Sequence, residues 1–216
     1  LDVPPTLVSF AVAVDKLANV VSPEFKGAGH RVALIQPSYQ VDNLLPETDS
    51  LLAAFSAVED LVREGKALSV STVGFGGLAE VLFKACLGNR IGFEVSEAYY
   101  EADARDLFDH SYGCFIVELD EGAALPEVDG ACVVELGVTC EPYELTAYGE
   151  TLDLDELQEA WASALEGVFP YRSAADEVDA AEELIPEERY RCEEEGRIRA
   201  TYGGLKIAKP RVIIPV

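Results

Sequence analysis

The sequence comprises 216 residues, of which 49% are hydrophobic, and this is enough apolar material for one large globular domain or one domain with an appendage. Its 40 acidic residues outnumber 16 lysines and arginines, so the formal net charge is −24. This charge repels nucleic acids and anionic membranes, and we expect neither as a partner. A phosphate group would need a local cluster of N–H groups, a metal ion or basic residues from another domain.

The cysteines indicate the compartment. No C-x-x-C spacing occurs among the five, which lie mostly in apolar runs: Cys86, Cys114, Cys132, Cys140 and Cys192. We predict five reduced thiols, four of them packed in the core, in a cytoplasmic protein. The longest apolar runs have only strand length and no signal-peptide pattern opens the chain, so we expect no membrane span. We predict no metal site, since only two histidines, His30 and His110, could add ligands.

The first half of the chain alternates predicted strands and helices. Residues 7–14 form an apolar pattern typical of a strand covered on both faces, and residues 31–35 predict a second strand that ends at Pro37. A helix follows, with Asp49 or Ser50 as its cap and Gly65 at its end. Its apolar face has helical spacing and consists of Leu51, Leu52, Phe55, Val58, Leu61 and Val62.

The central stretch, residues 69–95, predicts a strand, a glycine turn, a helix and a further strand. The turn contains Gly74, Gly76 and Gly77, which permit close backbone approaches and leave N–H groups at a helix N-terminus. Such a turn can hold an anion, or it can be a tight corner between helix and strand. The predicted helix face comprises Leu78, Val81, Leu82, Ala85 and Cys86.

The second half contains more strands. We predict a helix over residues 98–108 and strands over 113–119, 131–136 and 143–147. A further helix is predicted from Leu154 to Leu165. Asp153 and Glu156 have the spacing of a capping box at its start, and we expect Trp161 to be a core anchor. Residues 172–199 are rich in acids and arginines and indicate a solvated connector. The predicted fold class is α/β to α+β, a mixed β-sheet covered by helices.

Few catalytic motifs are present. The sequence lacks G-x-S-x-G, the Walker motif and the Rossmann motif. His110 lies between Asp109 and Ser111, but an exposed or satisfied loop histidine is the commoner state. We expect most of six dispersed acids to be surface charges: Asp103, Asp106, Glu118, Glu135, Glu141 and Glu144.

Four separated segments, residues 2–13, 69–93, 107–117 and 209–216, together resemble the large form of phosphoribosylformylglycinamidine synthase, in the superfamily of aminoimidazole ribonucleotide synthetase. The resemblance implies that residues 1–170 are the second synthetase-like C-terminal domain, 171–208 an acidic connector and 209–216 the first strand of a glutaminase. It fits a chain without methionine that stops inside an apolar run, which we expect to be an excised piece of a longer polypeptide.

The family enzyme converts formylglycinamide ribonucleotide, ATP and glutamine to the amidine in purine biosynthesis. The resemblance implies ATP and magnesium in the whole enzyme, and partners that are other domains of the same polypeptide, the synthetase-like N-domains and the glutaminase. The resemblance implies that the glutaminase nucleophile lies beyond Val216, so we predict no catalytic residue here, an inactive fragment and no tightly bound cofactor.

The resemblance also bears on the glycine turn. Many family members have H-D-x-S-D-G-G where this chain has residues 71–77, and Thr72 and Gly74 stand where those members carry an aspartate for magnesium and a serine for phosphate. Loss of the carboxylate weakens a magnesium site, so we predict a degenerate auxiliary site. The candidate contacts to phosphate or water are Ser71, Thr72, Gly74, Gly76 and Gly77.

Two alternatives remain from the sequence. The chain could belong to another ATP-using member of the superfamily, such as a kinase or a selenophosphate or hydrogenase-maturation enzyme. It could also be a non-catalytic assembly module with apolar strands and an acidic surface.

Overall fold

The computed structural model describes residues 8–42, 44–99, 107–109 and 111–168. The chain divides into two compact units, Leu1–Ala164 and Leu165–Val216, and the description reaches only residues 165–168 of the second. The predicted connector, the last apolar run, His110 and Cys192 lie outside the described residues. The domain boundaries at 170 and 208 therefore stay predictions.

The described part of the first unit contains a seven-stranded mixed sheet. Its strands are β1 (Arg31–Pro37), β2 (Ala67–Thr72), β3 (Gly92–Val95), β4 (Phe115–Leu119), β5 (Ala131–Cys140), β6 (Glu144–Ala147) and β7 (Glu150–Asp153). Their order is β2-β4-β1-β5-β3-β6-β7, and every neighbouring pair is antiparallel except β3 and β6. The predicted mixed sheet is confirmed.

Helices cover both faces of this sheet. They are α1 (Thr48–Arg63), α2 (Gly77–Leu87) and α3 (Leu154–Ser163), and two short 3₁₀ turns span Leu17–Asn19 and Glu97–Tyr99. Along β1, Val32 and Leu34 join a core cluster with α2, whereas Ala33 and Ile35 join a second cluster with α1. Burial on both faces explains why residues 32–35 of β1 are all apolar.

The strand predicted over residues 7–14 is wrong. Residues 8–14 have no strand hydrogen bonding, and Phe10, Val12 and Val14 are each more than 90% exposed. The alternation of side chains favours a strand, but a strand also needs a neighbour, and no described strand pairs with this segment. Its apolar faces are therefore open to solvent.

Helix α1 is confirmed, but its predicted cap is wrong. The helix begins at Thr48 after Glu47, whose side chain makes no capping hydrogen bond. Ser50 is buried, and its hydroxyl accepts from the Ser38 N–H at 2.9 Å and donates to the Gly130 carbonyl at 2.7 Å. The serine thus ties the helix to two loops. Gly65, at φ +68°, follows the helix end as predicted.

Helix α3 also differs in part. The Asp153 carboxylate accepts from the N–H groups of Asp155 and Glu156, as a cap should. Trp161 is 54% exposed and contacts Phe83 edge-on with 6.1 Å between ring centroids, so its prediction as a core anchor is wrong. The helix packs through its first turn, where Leu154 is fully buried.

The remaining strands are confirmed with changed lengths. Strand β5 runs on to Cys140 because it pairs with β1 over residues 131–138 and with β3 over residues 137–140. Strand β7 was not predicted, because all four of its residues are exposed and it therefore lacks a buried apolar face. It joins β6 through a two-residue loop, Tyr148 and Gly149, in which both φ angles are positive, as in a type I′ turn.

The cysteines divide into two kinds. Cys86 and Cys114 are buried, whereas Cys132 is exposed and Cys140 half-buried, so the prediction of four core-packed thiols is wrong for these two. All four are free thiols. Burial raises the pKa of Cys86 to about 12 and raises that of Cys114, which keeps both as neutral thiols.

Within the described ranges, no helix combines the length and the apolar character that a membrane crossing requires. Of the helix predicted over residues 98–108, the described portion shows the 3₁₀ turn Glu97–Tyr99 and, at residues 107–108, 3₁₀ and turn geometry.

Candidate functional site

The glycine turn lies at one edge of the sheet. Strand β4 is antiparallel to both β1 and β2, so the carboxyl ends of β1 and β2 meet the start of β4 at this edge. Val73, after β2, donates its N–H to the Cys114 carbonyl at 3.0 Å and joins the turn to the segment before β4. Polar groups from three chain segments are thereby brought together.

Gly77 makes the turn a close-packed corner. Its φ is +71°, and a Cβ at this position would lie 2.6 Å from the Leu107 carbonyl oxygen and 2.9 Å from that of Asp109. Both contacts are with backbone, which cannot rotate away as a side chain can. The glycine is therefore required where the chain at residues 107–109 crosses the start of α2.

An internal carboxylate occupies the N–H of the turn. The Gly76 N–H donates to Glu80 Oε2 at 2.7 Å, and the other Glu80 oxygen pairs with Lys84. The Lys84 ammonium and then the Gly76 N–H lower the pKa of Glu80, so this side chain stays ionised below its usual range. The chain's own anion thus lies at the N-terminus of α2, where a bound anion would be stabilised.

The other predicted site residues surround this corner. The Ser71 hydroxyl donates to the Pro23 carbonyl at 3.2 Å, while Thr72 is exposed at the end of β2. Gly74 accepts a hydrogen bond from the Gly77 N–H at 3.2 Å. The structure brings the five residues to one sheet edge, and ligand contact by them remains a prediction.

A cavity of about 230 Å³ opens beside the glycine turn. Apolar side chains of Leu34, Val73 and Leu78 form part of its wall. The rest of the described lining is polar: Gln36, Tyr99, Asp109, Ser111 and Cys114. No local sequence pattern predicts this cavity, since its described walls come from β1, the glycine turn with the start of α2, the 3₁₀ turn that ends at Tyr99 and the segment before β4.

Tyr39 supports the polar wall of the cavity. Its hydroxyl donates to the Tyr112 carbonyl at 3.0 Å, lies 3.2 Å from Cys114 Sγ and interacts with the Ser111 and Gln36 side chains. Burial and then the contact with Cys114 raise the pKa of Tyr39 well above its usual value. The phenol is therefore a neutral group that holds several cavity side chains in place.

A second polar cluster is buried away from the turn, around Glu118. The Glu118 side chain is 0% exposed and accepts from the Lys26 N–H at 2.9 Å, the Gly27 N–H at 3.3 Å and His30 Nδ1 at 2.7 Å. The His30 N–H donates to the hydroxyl of Thr139, which is also buried. Glu118 is thus an exception to the expectation that most of the six dispersed acids are surface charges.

The Glu118 cluster holds a loop on the sheet. Its donors belong to residues 26–30, some ninety positions before the carboxylate, so no local sequence pattern predicts the burial of Glu118. His30 shows 28% of its side chain to solvent.

Glu135, Glu141 and Glu144 lie at least partly at the surface, as predicted. In the ranges the structure covers, no three His, Cys, Asp or Glu side chains group as metal ligands.

The sheet and helices have the fold of proteins that resemble aminoimidazole ribonucleotide synthetase. Phosphoribosylformylglycinamidine synthase II from Thermotoga maritima shares it, with a TM-score of 0.53, 13% identity and coverage of 63% of this chain and 27% of that chain. T. maritima PurL complexed with FGAR gives a TM-score of 0.53 at 12% identity, covering 64% of this chain and 29% of that one.

PurLQS from T. maritima is similar too, with a TM-score of 0.52, 10% identity and coverage of 65% of this chain and 28% of that chain. This chain thus matches somewhat more than a quarter of the length of these structures. No family model matches the sequence, and no curated protein matches it either. At such low identity the similarity establishes the fold.

Proposed function

We propose that this chain is a domain of a glutamine-dependent carbon–nitrogen ligase of the phosphoribosylformylglycinamidine synthase type, acting in purine biosynthesis in the cytoplasm. Its role there is architectural, and its glycine turn is a degenerate nucleotide site. The observation that carries this proposal is the Glu80 carboxylate on the Gly76 N–H, in a fold shared with T. maritima PurL.

The chemistry of the turn supports the degenerate role. Magnesium prefers hard oxygen ligands, above all carboxylates, and Thr72 offers only a neutral hydroxyl. A phosphate approaching Gly76 would meet a carboxylate already bonded there and would be repelled by it. In this proposal ATP and magnesium are bound by other domains of the whole enzyme, and the isolated chain is inactive.

The exposed apolar side chains support a place inside a larger assembly. Phe10, Val12 and Val14 are more than 90% exposed, and Phe75 at the tip of the glycine turn is 83% exposed. A run of exposed apolar side chains such as that at residues 8–14 is typical of an interaction surface. We propose that synthetase-like N-domains and a glutaminase of the same polypeptide are its partners.

The coding sequence on both sides of this chain tests the larger proposal. We expect a glutaminase with a cysteine nucleophile downstream of Val216 and a synthetase-like N-domain upstream of Leu1. A stop codon directly after Val216 would contradict it.

The activity of the whole polypeptide tests the role of the turn. We expect amidation of formylglycinamide ribonucleotide with ATP and glutamine, and a Thr72→Ala variant within about twofold of the unaltered rate, because Thr72 binds no essential metal ion in this proposal. A large loss of kcat that excess magnesium restores would show that Thr72 belongs to a working metal site.

A further inference from the structure

The cavity beside the glycine turn has a lining that selects for charge. Among its described lining residues, Asp109 alone carries a formal charge at neutral pH, since the Cys114 thiol is kept neutral by burial. Gln36, Tyr99 and Ser111 add carbonyl and hydroxyl oxygens that can accept hydrogen bonds. The described part of the lining therefore offers one anionic and several neutral acceptors.

Two classes of ligand fit this lining poorly. An anion would face the Asp109 carboxylate inside a chain whose net charge is −24. A purely apolar molecule would remove Gln36, Ser111 and Asp109 from water without replacing their hydrogen bonds, which is unfavourable. A ligand rich in N–H donors and positive charge satisfies both requirements.

The volume limits the ligand further. Pockets for drug-sized molecules span roughly 300–1,000 Å³, and this cavity measures about 230 Å³. Leu34, Val73 and Leu78 supply an apolar wall against which a short carbon skeleton can pack.

The polar wall is fixed before a ligand arrives. Tyr39 interacts with Gln36, Ser111 and Cys114 from behind the cavity. Gly77 lets the backbone of residues 107–109 pack tightly on the start of α2, which positions the segment that carries Asp109. Groups held in place in this way lose little freedom on binding.

We propose that this cavity is a binding site for a small organic cation, an amidinium or ammonium group on a molecule of about ten heavy atoms or fewer. The Asp109 carboxylate accepts from the cationic N–H groups, and Gln36 and Ser111 accept from the remaining ones. The site is distinct from the proposed nucleotide role of the turn, because it recognises a cation and needs no phosphate.

Three probes of the same shape test the assignment: acetamidinium, acetamide and acetate differ in charge and share a planar four-atom skeleton. The full chain, labelled with ¹⁵N, is titrated with each at 150 mM NaCl, which screens attraction to the acidic surface as a whole. We expect acetamidinium to shift the amide signals of Val73, Ser111 and Cys114 in a saturable way. Acetamide should bind at least about tenfold more weakly, and acetate should not bind.

Two aspartate variants separate the cavity from the general acidity of the chain. Asp109→Asn should weaken acetamidinium binding at least about tenfold, whereas Asp129→Asn, an exposed aspartate that lines a different cavity, should leave it unchanged. Each change removes one charge and retains the size of the side chain. Circular dichroism and Tm report whether either variant remains folded.

Tyr39→Phe gives a second line of evidence, because it retains the ring and removes the hydroxyl that holds Gln36 and Ser111. It should weaken acetamidinium binding several-fold in a folded protein. Absence of saturable binding, equal binding of acetate, or equal effects of the two aspartate variants would each overturn the proposal. These results are independent of any nucleotide titration, so this proposal and the proposed function can fail separately.

Discussion

Glu118 and Glu80 both accept hydrogen bonds from backbone N–H groups, and they do so in opposite surroundings. Glu118 is 0% exposed and takes its donors from residues 26–30. Glu80 lies at the surface, accepts from Gly76 four positions before it, and pairs with Lys84 four positions after it. Burial makes the first contact a structural necessity, whereas the second mainly determines what else can bind at the glycine turn.

The largest expected effect is at Glu118. Glu118→Gln places an NH₂ group against the donors from Lys26, Gly27 and His30, and it leaves buried N–H groups without an acceptor. We expect the free energy of unfolding to fall by about 2–4 kcal/mol. Urea denaturation of the variant and of the unaltered chain measures this difference in the free energy of unfolding.

The matched control is Glu135→Gln, where the carboxylate is 36% exposed and 3.5 Å from Arg31. This exposed pair should lose less than about 1 kcal/mol. Equal losses at the two positions would mean that burial does not distinguish them.

Gly77→Ala should have the next largest effect. Alanine has to adopt φ +71°, and its Cβ would overlap the backbone of residues 107–109. We expect a loss of about 2–4 kcal/mol from the conformational strain and the clash together. Thermal unfolding checks the change.

Gly122→Ala isolates the conformational part of that loss. Gly122 has φ +82° and nothing within 4 Å of a new Cβ, so about 1 kcal/mol is expected. If both alanine variants lost the same amount, the glycine turn would not be the close-packed corner described above.

Glu80→Ala should have a small effect on stability, below about 1 kcal/mol, because the carboxylate is largely solvated. The contribution depends on pH in a defined direction. Since the pKa of Glu80 is lowered in the folded protein, its contribution is complete above the unfolded value of 4.5 and is lost as the pH falls through the folded value.

Thermal unfolding between pH 7 and pH 3 measures this difference between Glu80→Ala and the unaltered chain. The control is Glu59→Ala, which removes an exposed i,i+4 pair with Arg63. The Glu80 difference should shrink on acidification below pH 4.5. A difference that grew with acid would have the wrong sign.

The contrast between the two carboxylates also shows which features of the structure can be predicted from the sequence. Strands β1 and β4 were predictable because burial on both faces makes most of their residues apolar, and α2 was predictable because its buried residues recur with helical spacing. These are local patterns. The glycine turn belongs to the same class, since three glycines between a strand and a helix indicate a sharp corner.

The features that escaped prediction depend on distant contacts. Glu118 is buried by donors about ninety positions earlier, and the segment at residues 8–14 is exposed because no described strand pairs with it. Trp161 has a helical spacing that fits a core position, yet it is 54% exposed, and the one fully buried residue of α3 is Leu154 in its first turn. The described walls of the cavity come from separate segments of the chain that the fold brings together.

The central claim is that the Glu80 carboxylate accepts the Gly76 N–H of the glycine turn and so keeps a nucleotide phosphate from binding there. A titration of the ¹⁵N-labelled chain with ATP and magnesium, followed at the amide signals of Gly74, Gly76 and Gly77, tests it most directly. The account predicts that these signals do not move up to millimolar nucleotide. A saturable shift of the three amides that requires magnesium would contradict it.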